Sequence, residues 1–223
     1  MIVVHHLNNS RSQRILWLLE ELGLDYDIKK YQRDPKTMLA PPELKAVHPL
    51  GKSPVITDDV NVVAESGAIV EYLVERYGQG ALVPPAGTPD KLRYTHMLHY
   101  AEGTGMPPLL MKLVFDRIET ERMPFFVKPI ARGIAAKVKK MFVMPNIENN
   151  LRFLEGELEK STWFAGEAFT AADIQISFVL EAAAMRGGLD ARYPKLMAWL
   201  ERIHARPAYQ RALARGGKYD FVK

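Results

Sequence analysis

A group of small polar side chains lies between the first apolar segment of the chain and a helical pattern. The stretch "LNNSRSQRILWLLEELG" begins at Leu7 and places Asn9, Ser10 and Ser12 close together. A serine hydroxyl donates one hydrogen bond and accepts two, and an asparagine amide donates two. Donors at the start of a helix could stabilise an anion, because that end carries partial positive charge. The simpler interpretation is a helix cap, since Ser10 and Gln13 have the spacing of a capping box.

The composition excludes several kinds of chemistry. The 223 residues include no cysteine, so a protein thiol cannot be the nucleophile and any sulfur chemistry must come from a bound molecule. The net charge is +4, but the basic residues are scattered, so no nucleic-acid binding is expected. His96 and His99 lie one helical step apart without a third ligand, so no metal site is expected either.

The hydropathy pattern indicates neither a membrane span nor a secretion signal. No apolar run is long enough to cross a bilayer, and no signal peptide precedes the first predicted strand. We therefore expect a cytoplasmic protein that does not interact with membranes.

The first eighty residues alternate between strand and helix patterns. The predicted order is strand, helix, strand, helix, strand, strand, helix, which is typical of one compact α/β unit. The segments are residues 2–7, 15–22, 26–31 and 42–47, then two short strands in "PVITDDVNVVAES" and a helix around 69–77.

A Gly- and Pro-rich segment, "GQGALVPPAGTPD", indicates a linker. Beyond it the apolar residues have helical spacing, as at Ile147, Leu151, Leu154 and Leu158. Prolines there mark kinks or helix boundaries. We predict a first domain over residues 1–78, a linker over 79–89 and an all-helical domain over 90–223.

Four motifs resemble the cytosolic-type glutathione transferase family. They are "SRSQRILWLLEELG" after the first strand, "HPLGKSPVI" before the third, "ESGAIVEYL" opening the third helix and "FTAADI" in the helical domain. The first motif resembles serine-type bacterial and fungal members. The resemblance implies an α/β thioredoxin-like N-terminal domain that binds glutathione, followed by an all-α C-terminal domain that contributes the electrophile pocket. It also implies a homodimer, with glutathione as co-substrate and no tightly bound cofactor.

The resemblance gives the polar group after the first strand a catalytic role. Ser10 lies four residues before Arg14, where serine-type members carry the hydroxyl that points at the glutathione sulfur. Asn9 and Ser12 are the alternatives. A thiol with a pKa of about 8.5 must be held as thiolate at neutral pH. A hydroxyl donor and a helix N-terminus both favour that anion.

The other motifs imply contacts to the peptide part of glutathione. The bond before Pro54 is expected to be cis, with the main chain of Ser53 pairing with the cysteinyl residue. Lys52 could bind a carboxylate or simply be solvated. The Ser66 hydroxyl and the helix N–H groups around it would bind the γ-glutamyl carboxylate, and Glu65 would bind the α-amino group. The simpler interpretation makes Ser66 an N-cap and Glu65 a surface acid.

One position departs from the family pattern. Many members carry a basic residue before the proline of the second helix, where it binds the glycyl carboxylate. This chain has Ala40 and Pro41 there, and Lys36 or Lys52 could substitute.

Two further groups of residues are assigned in the helical domain. Flexible apolar side chains suit varied ligands, so four residues near its start are candidate walls of the electrophile pocket, although several could simply be core. They are Met106, Leu110, Met111 and Phe115. Thr170 and Asp173 should form a structural capping box without a role in the chemistry.

The predicted activity is conjugation of the glutathione thiolate to small hydrophobic electrophiles, a detoxification reaction. A glutathione-dependent peroxidase or disulfide reductase using the same site is one alternative. A non-catalytic glutathione-binding or scaffold protein is another.

Overall fold

The computed structural model describes residues 1–222 and begins with a small mixed sheet. Its strands are β1 (Ile2–Leu7), β2 (Tyr26–Tyr31), β3 (Val55–Asp58) and β4 (Asn61–Ala64). The spatial order is β2-β1-β3-β4. Strand β1 runs parallel to β2 and antiparallel to β3, and β3 runs antiparallel to β4. All four predicted strands are therefore confirmed.

The strand register brings three chain segments to one edge of the sheet. His5 pairs with Val55 across β1 and β3, and Val55 pairs with Ala64 across β3 and β4. The end of β1, the start of β3 and the end of β4 therefore lie side by side. This edge collects the predicted site residues that follow β1, precede β3 and follow β4.

The rest of the described chain is mainly helical. Its α-helices are α1 (Ser12–Glu21), α2 (Glu43–Val47), α3 (Ser66–Tyr77), α4 (Pro89–Tyr100), α5 (Met106–Thr120), α6 (Lys128–Val138), α7 (Met144–Lys160), α8 (Ala171–Ala182), α9 (Pro194–His204) and α10 (Pro207–Gly216). The predicted fold class, a thioredoxin-like α/β domain followed by an all-α domain, is confirmed. No helix within residues 1–222 combines the length and apolar character that crossing a bilayer requires.

Three π-helical turns interrupt or end the helices of the second part. Residues 101–105 connect α4 to α5, residues 139–143 connect α6 to α7, and residues 183–187 follow α8. Pro129 occupies the first turn of α6, where the missing N–H costs no hydrogen bond. Pro107 and Pro145 closely follow a π-helical turn inside a continuing helix, where each proline removes one main-chain hydrogen bond. The predicted proline positions thus coincide with a helix start at Pro129 and with irregular helix turns at Pro107 and Pro145.

Helix α1 is more deeply buried than its sequence pattern predicts. An amphipathic helix should expose one face, yet every residue from Ser12 to Leu19 is buried. The reason is that α1 packs against β1 on one side and against α3, α8 and α10 on others. The first two turns of α1 are therefore enclosed on all sides.

The last helix returns to the first domain. Arg206 at the start of α10 forms an ion pair with Glu21 of α1, with an Nε to Oε1 distance of 2.6 Å. Near its end, Arg215 donates a hydrogen bond of 2.7 Å to the carbonyl of Tyr26 in β2. The chain between α3 and α4 carries no helix or strand. The predicted domain limits, 1–78, 79–89 and 90–223, stay a prediction.

Thr170 and Asp173 form a reciprocal capping box at the start of α8. The buried Asp173 carboxylate also accepts hydrogen bonds from the Phe164 N–H at 3.1 Å and from the Trp199 indole at 3.3 Å. Burial raises the pKa of this carboxyl to about 6, against the opposing effect of these donors. Asp173 therefore joins α8 to the preceding loop and to α9.

Candidate active site

A cavity of about 710 Å³ opens at the sheet edge where β1 ends and β3 begins. Its lining includes four basic residues, Arg11, Arg33, Lys45 and Lys52, and one acidic residue, Asp34. A concave surface with this excess of positive charge attracts anions. The cavity therefore suits a ligand with more than one negative group.

The Ser10 hydroxyl lies beside this cavity in a group of three serines. Its Oγ is 2.7 Å from Ser12 Oγ and 3.5 Å from Ser53 Oγ, and it accepts the Ser12 N–H at 3.2 Å. Ser10 is 3% exposed, whereas Ser53 lines the cavity. Ser10 thus lies directly behind a residue of the cavity wall, at the positive end of α1.

Ser10 and Gln13 do not form the capping box that their spacing predicts. Helix α1 begins at Ser12, and Arg11 occupies the N-cap position without a side-chain hydrogen bond. The Gln13 amide turns towards α10, where a Cβ on Gly216 would come within 2.5 Å of it. This amide has no hydrogen-bond partner within residues 1–222. The capping-box prediction is wrong because packing against α10 determines the orientation of Gln13.

The two alternatives to Ser10 are engaged elsewhere. The Asn9 amide donates to the Asp220 carboxylate at 2.7 Å and accepts the Asp220 N–H at 2.9 Å. Ser12 is fully buried, and its Oγ lies 2.9 Å from Nδ1 of His6. Of the two serine hydroxyls, that of Ser10 lies beside a side-chain hydroxyl of the cavity wall, Ser53 Oγ at 3.5 Å, whereas Ser12 meets the wall only at the main-chain carbonyl of Leu7 at 3.4 Å.

Ser53 and Pro54 stand where β3 begins, and the peptide bond between them is cis. The Ser53 hydroxyl donates to the His5 carbonyl at 2.9 Å and accepts the Leu7 N–H at 3.3 Å. No hydrogen bond from another residue within 1–222 reaches the main-chain N–H or C=O of Ser53. Both groups are therefore available to an extended peptide.

Glu65 and Ser66 lie at the amino-terminal end of α3. Glu65 is exposed and has a φ of 72°, a conformation that costs a residue with a side chain of the order of 1–3 kcal/mol. Ser66 is buried and is the first residue of the helix. The β3–β4 register places Glu65 next to Pro54, so this helix end borders the same sheet edge.

The structure identifies basic residues at the cavity that sequence reasoning missed. Lys52 lines the cavity as expected, but Lys36 does not, and its carbonyl instead accepts a hydrogen bond from Arg117. Lys45 lines the cavity and lies over Gly51, where an added Cβ would come within 2.6 Å of its Cγ. Burial, together with Arg11, lowers the pKa of the Arg33 guanidinium. The signal for Lys45 was its position a few residues after Ala40 and Pro41, which stand where the basic residue is expected.

Arg11 and Arg14 connect the start of α1 to the helical part of the chain. The Arg11 Nε lies 3.1 and 3.0 Å from the two carboxylate oxygens of Glu102, in the π-helical turn before α5. The buried Arg14 donates to the same carboxylate and to the Gln175 carbonyl. Burial would raise the pKa of Glu102, but Arg14 and Arg11 outweigh it and hold it below its ordinary value. This cluster fixes the orientation of Arg11 at the cavity.

The four candidate walls of the electrophile pocket separate into different environments. Met106 is 6% exposed and belongs to the core, and Met111 and Phe115 pack against that core. Leu110 is 52% exposed. None of the four lines the cavity beside Ser53. The contact of these four residues with an electrophile stays a prediction. Leu110 has the most exposed side chain of the four.

His96 and His99 do not assemble a metal site within the described residues. The His96 ring packs edge-on against Tyr100 and Phe153, with ring centroids 5.8 and 5.9 Å apart. No group of three or more histidine and acidic side chains within residues 1–222 is placed to hold a metal ion. The contacts of His96 are those of a packing residue.

A thioredoxin-like domain with a polar site at its sheet edge, followed by a helical domain, is the architecture of glutathione transferases. The family description "Glutathione S-transferase, N-terminal domain" matches residues 10–76, and "Glutathione S-transferase, C-terminal domain" matches residues 116–207. The chain belongs to the glutathione S-transferase family.

Curated relatives and solved structures agree with this assignment. The chain is 34% identical to glutathione S-transferase 1 of Saccharomyces cerevisiae, over 94% of this chain and 92% of the relative. It is 36% identical to glutathione S-transferase 3 of Schizosaccharomyces pombe, over 93% and 85% of the two chains. A glutathione S-transferase structure from Actinobacillus pleuropneumoniae matches with a TM-score of 0.75 and 33% identity, over 99% of this chain and 95% of the other. A sphingomonad glutathione S-transferase solved in complex with glutathione gives a TM-score of 0.73 and 25% identity, over 96% and 98%.

Proposed function

We propose that the protein conjugates glutathione to small hydrophobic electrophiles and that Ser10 stabilises the thiolate. The observation that carries the proposal is the position of the Ser10 hydroxyl, 3.5 Å from Ser53 Oγ at the wall of a basic cavity. The same edge presents an unpaired main-chain segment at Ser53 and a helix N-terminus at Ser66. An extended peptide with two carboxylates needs such groups for binding.

Glutathione would lie along this edge in an extended conformation. Its γ-glutamyl carboxylate would bind the N–H groups and hydroxyl at Ser66, and its α-amino group would bind Glu65. The cysteinyl residue would pair with the main chain of Ser53, as an added strand does. Lys45 or Lys52 would bind the glycyl carboxylate, since both line the cavity. The thiol would then lie near Ser10.

The chemistry needs a thiolate at neutral pH and a carbon electrophile beside it. One charge-assisted hydrogen bond from Ser10 is worth about 1.5–3 kcal/mol, which corresponds to about 1–2 pKa units of the thiol. The thiolate sulfur attacks the electrophilic carbon, a C–S bond forms, and the leaving group departs with its electron pair. The thiol proton passes to solvent. The reaction requires no cysteine from the protein, in agreement with a sequence that has none.

The proposal includes a role in detoxification, a cytoplasmic location and assembly as a homodimer. Exposed apolar side chains such as Val60 in the β3–β4 turn and Leu92 on α4 support a self-association surface. Sedimentation velocity on the purified protein tests the dimer.

Retention on immobilised glutathione, followed by assay with a chloronitrobenzene, tests the proposed activity. The expected result is retention, elution by free glutathione and release of chloride with formation of the thioether. Turnover of peroxides or disulfides without conjugation would support the alternative reaction at the same site. A protein that binds glutathione but turns over none of these compounds would be a binding or scaffold protein.

A further inference from the structure

A hydrogen-bonded chain extends from the candidate catalytic hydroxyl into the sheet. Ser10 Oγ lies 2.7 Å from Ser12 Oγ, and Ser12 Oγ lies 2.9 Å from Nδ1 of His6 in β1. All three residues are at least nine-tenths buried, with exposed fractions of 3%, 0% and 4% for Ser10, Ser12 and His6. The three groups share a small number of hydrogens, so the direction of one hydrogen bond in this series influences the direction of the next.

The Ser53 hydroxyl does not supply a hydrogen to this chain. It donates its only hydrogen to the His5 carbonyl at 2.9 Å, because a carbonyl oxygen can only accept. Ser10 also accepts the main-chain N–H of Ser12 at 3.2 Å. The direction of the Ser10 hydrogen therefore depends on Ser12 and, through Ser12, on His6.

The two neutral forms of His6 have opposite consequences for Ser10. If Nδ1 lacks a hydrogen, Ser12 donates to it, and Ser10 must then donate to Ser12 to keep the 2.7 Å contact. In that case the Ser10 hydrogen is not available to a thiolate. If Nδ1 carries the hydrogen, it donates to Ser12, and Ser12 donates to Ser10 at 2.7 Å, a shorter contact than the one to its other acceptor, the Leu7 carbonyl at 3.4 Å. Ser10 then accepts two hydrogen bonds, and its own hydrogen remains free.

We propose that His6 is a positioning residue whose Nδ1–H, acting through Ser12, leaves the Ser10 hydrogen directed at the glutathione thiolate. This inference rests on the proposed function and adds a residue that does not touch the substrate. The position of a histidine proton follows from the partner of the other ring nitrogen, so the surroundings of Nε2 decide between the two forms.

The surroundings of Nε2 favour a hydrogen on Nδ1. His6 also lines a second cavity of about 320 Å³, and since Nδ1 is bound to the buried Ser12, the ring nitrogen that borders this cavity is Nε2. Lys30 and Lys218 line the same cavity. Lys218 is paired with Asp220, but the positive charge of Lys30 acts on the ring and favours an unprotonated nitrogen with its lone pair. The carboxylate in this cavity, Asp220, is already bound by Asn9 at 2.7 Å and by Lys218 at 3.2 Å.

The ring stays neutral at the pH where the enzyme would act. Burial, together with the charge of Lys30, lowers the pKa of His6 to about 4. The remaining titratable group of the second cavity, the Tyr31 hydroxyl, is bonded to Nδ1 of His5 at 2.9 Å. A neutral ring with one hydrogen keeps the hydrogen bonds from His6 to Ser12 and from Ser12 to Ser10 in one direction over the neutral pH range.

Histidine-selective ¹⁵N labelling and NMR of the full-length protein at pH 7 test the inference directly. The two ring nitrogens have different chemical shifts in each neutral form, and His6→Asn identifies the His6 signals among the six histidines. We expect the hydrogen on Nδ1. A ring protonated mainly on Nε2 would overturn the inference. The measurement needs no glutathione, so it stands even if the proposed activity fails.

A pair of variants tests the coupling to the thiolate. His6→Leu removes the donor, and we expect the pKa of bound glutathione to rise by about 1 unit and kcat at pH 6 to fall about tenfold, with KM for glutathione changed less than about twofold. His6→Asn places an amide N–H near the position of Nδ1 and should recover most of kcat. An unchanged thiolate pKa in a folded His6→Leu protein would contradict the coupling. If that variant does not fold, the ¹⁵N measurement decides.

Discussion

The hydroxyl oxygens of Ser10 and Ser12 lie 2.7 Å apart, so one of the two serines donates to the other at the start of α1. This contact explains why the motif contains more polar residues than a helix cap needs. Ser12 is fully buried and cannot reach a ligand, whereas Ser10 lies behind the cavity wall. Under the proposed function the two serines have different tasks: Ser12 would orient a hydrogen bond, and Ser10 would face the thiolate.

Lys45 should bind the glycyl carboxylate of glutathione. Lys45→Gln is expected to raise KM for glutathione about tenfold with kcat changed less than about twofold, because an interaction made equally in the ground state and the transition state is lost. Lys36→Gln is the matched control, since Lys36 does not line the cavity and should leave KM unchanged. Steady-state kinetics at saturating electrophile measure both. A larger effect at Lys52 than at Lys45 would transfer the assignment to Lys52.

Glu102 should stabilise the contact between α1 and the helical domain. Removing the partly exposed Glu102 carboxylate leaves an uncompensated charge on the buried Arg14, so Glu102→Gln is expected to cost about 3 kcal/mol of unfolding free energy at pH 7. The folded-state pKa of Glu102 is depressed, so its contribution is present above the unfolded pKa and is lost as the pH falls through the folded value.

Urea unfolding of wild type and Glu102→Gln at several pH values from 7 down to about 3 measures this contribution, since the loss occurs below the ordinary glutamate pKa of about 4.3. The difference between the two proteins should shrink towards the acidic end. Glu121→Gln is a control, because its ion pair with Arg117 is exposed on both sides and worth little. Equal stability of wild type and Glu102→Gln at pH 7 would refute the role of this cluster.

Asp173 should affect stability and leave the chemistry unchanged. Asp173→Ala removes a cap worth about 1 kcal/mol and leaves the Phe164 N–H and the Trp199 indole without their acceptor, at about 1–3 kcal/mol each. Calorimetric or urea unfolding measures the loss. Residual folded enzyme should show normal kcat and KM, so altered kinetics in the folded fraction would contradict a purely structural role.

The pH dependence of the Asp173 effect has the opposite sign to that of Glu102. Burial raises its folded-state pKa to about 6, so the folded protein binds the proton more tightly than the unfolded chain does. Its contribution is largest below the unfolded pKa and decreases as the pH rises towards 6. The stability difference between wild type and Asp173→Ala should therefore become smaller between pH 4 and pH 7.

Local sequence patterns were sufficient for the strands and for most helix starts. Apolar runs with turn residues at their ends define β1 and β2, and prolines mark the first turns of α5, α6 and α7. The return of α10 to α1 could not be predicted, because it depends on contacts between distant residues such as Glu21 and Arg206. The same packing buries the polar residues of α1 and turns Gln13 away from Ser10.

The sequence predicted those residues of the candidate site that belong to a recognisable motif. It did not predict the residues that only the folded structure brings there. Ser10, Ser53 and Ser66 belong to separate motifs, and the strand register brings them to one edge. Lys45 and His6 gave no comparable signal. Lys45 reaches the cavity through packing on Gly51, and the role of His6 depends on a hydrogen bond to Ser12 that spacing alone does not determine.

Titration of the ultraviolet thiolate absorbance of bound glutathione tests the central assignment most directly. The comparison uses wild type, Ser10→Ala and Asn9→Gly. Glycine tolerates the φ of 50° at position 9 and removes the amide that pairs with Asp220. The account predicts that Ser10→Ala raises the pKa of the bound thiol by about 1–2 units and that Asn9→Gly, which frees Asp220 beside His6, changes it by less. An unchanged pKa in Ser10→Ala, or a raised one in Asn9→Gly alone, would contradict it.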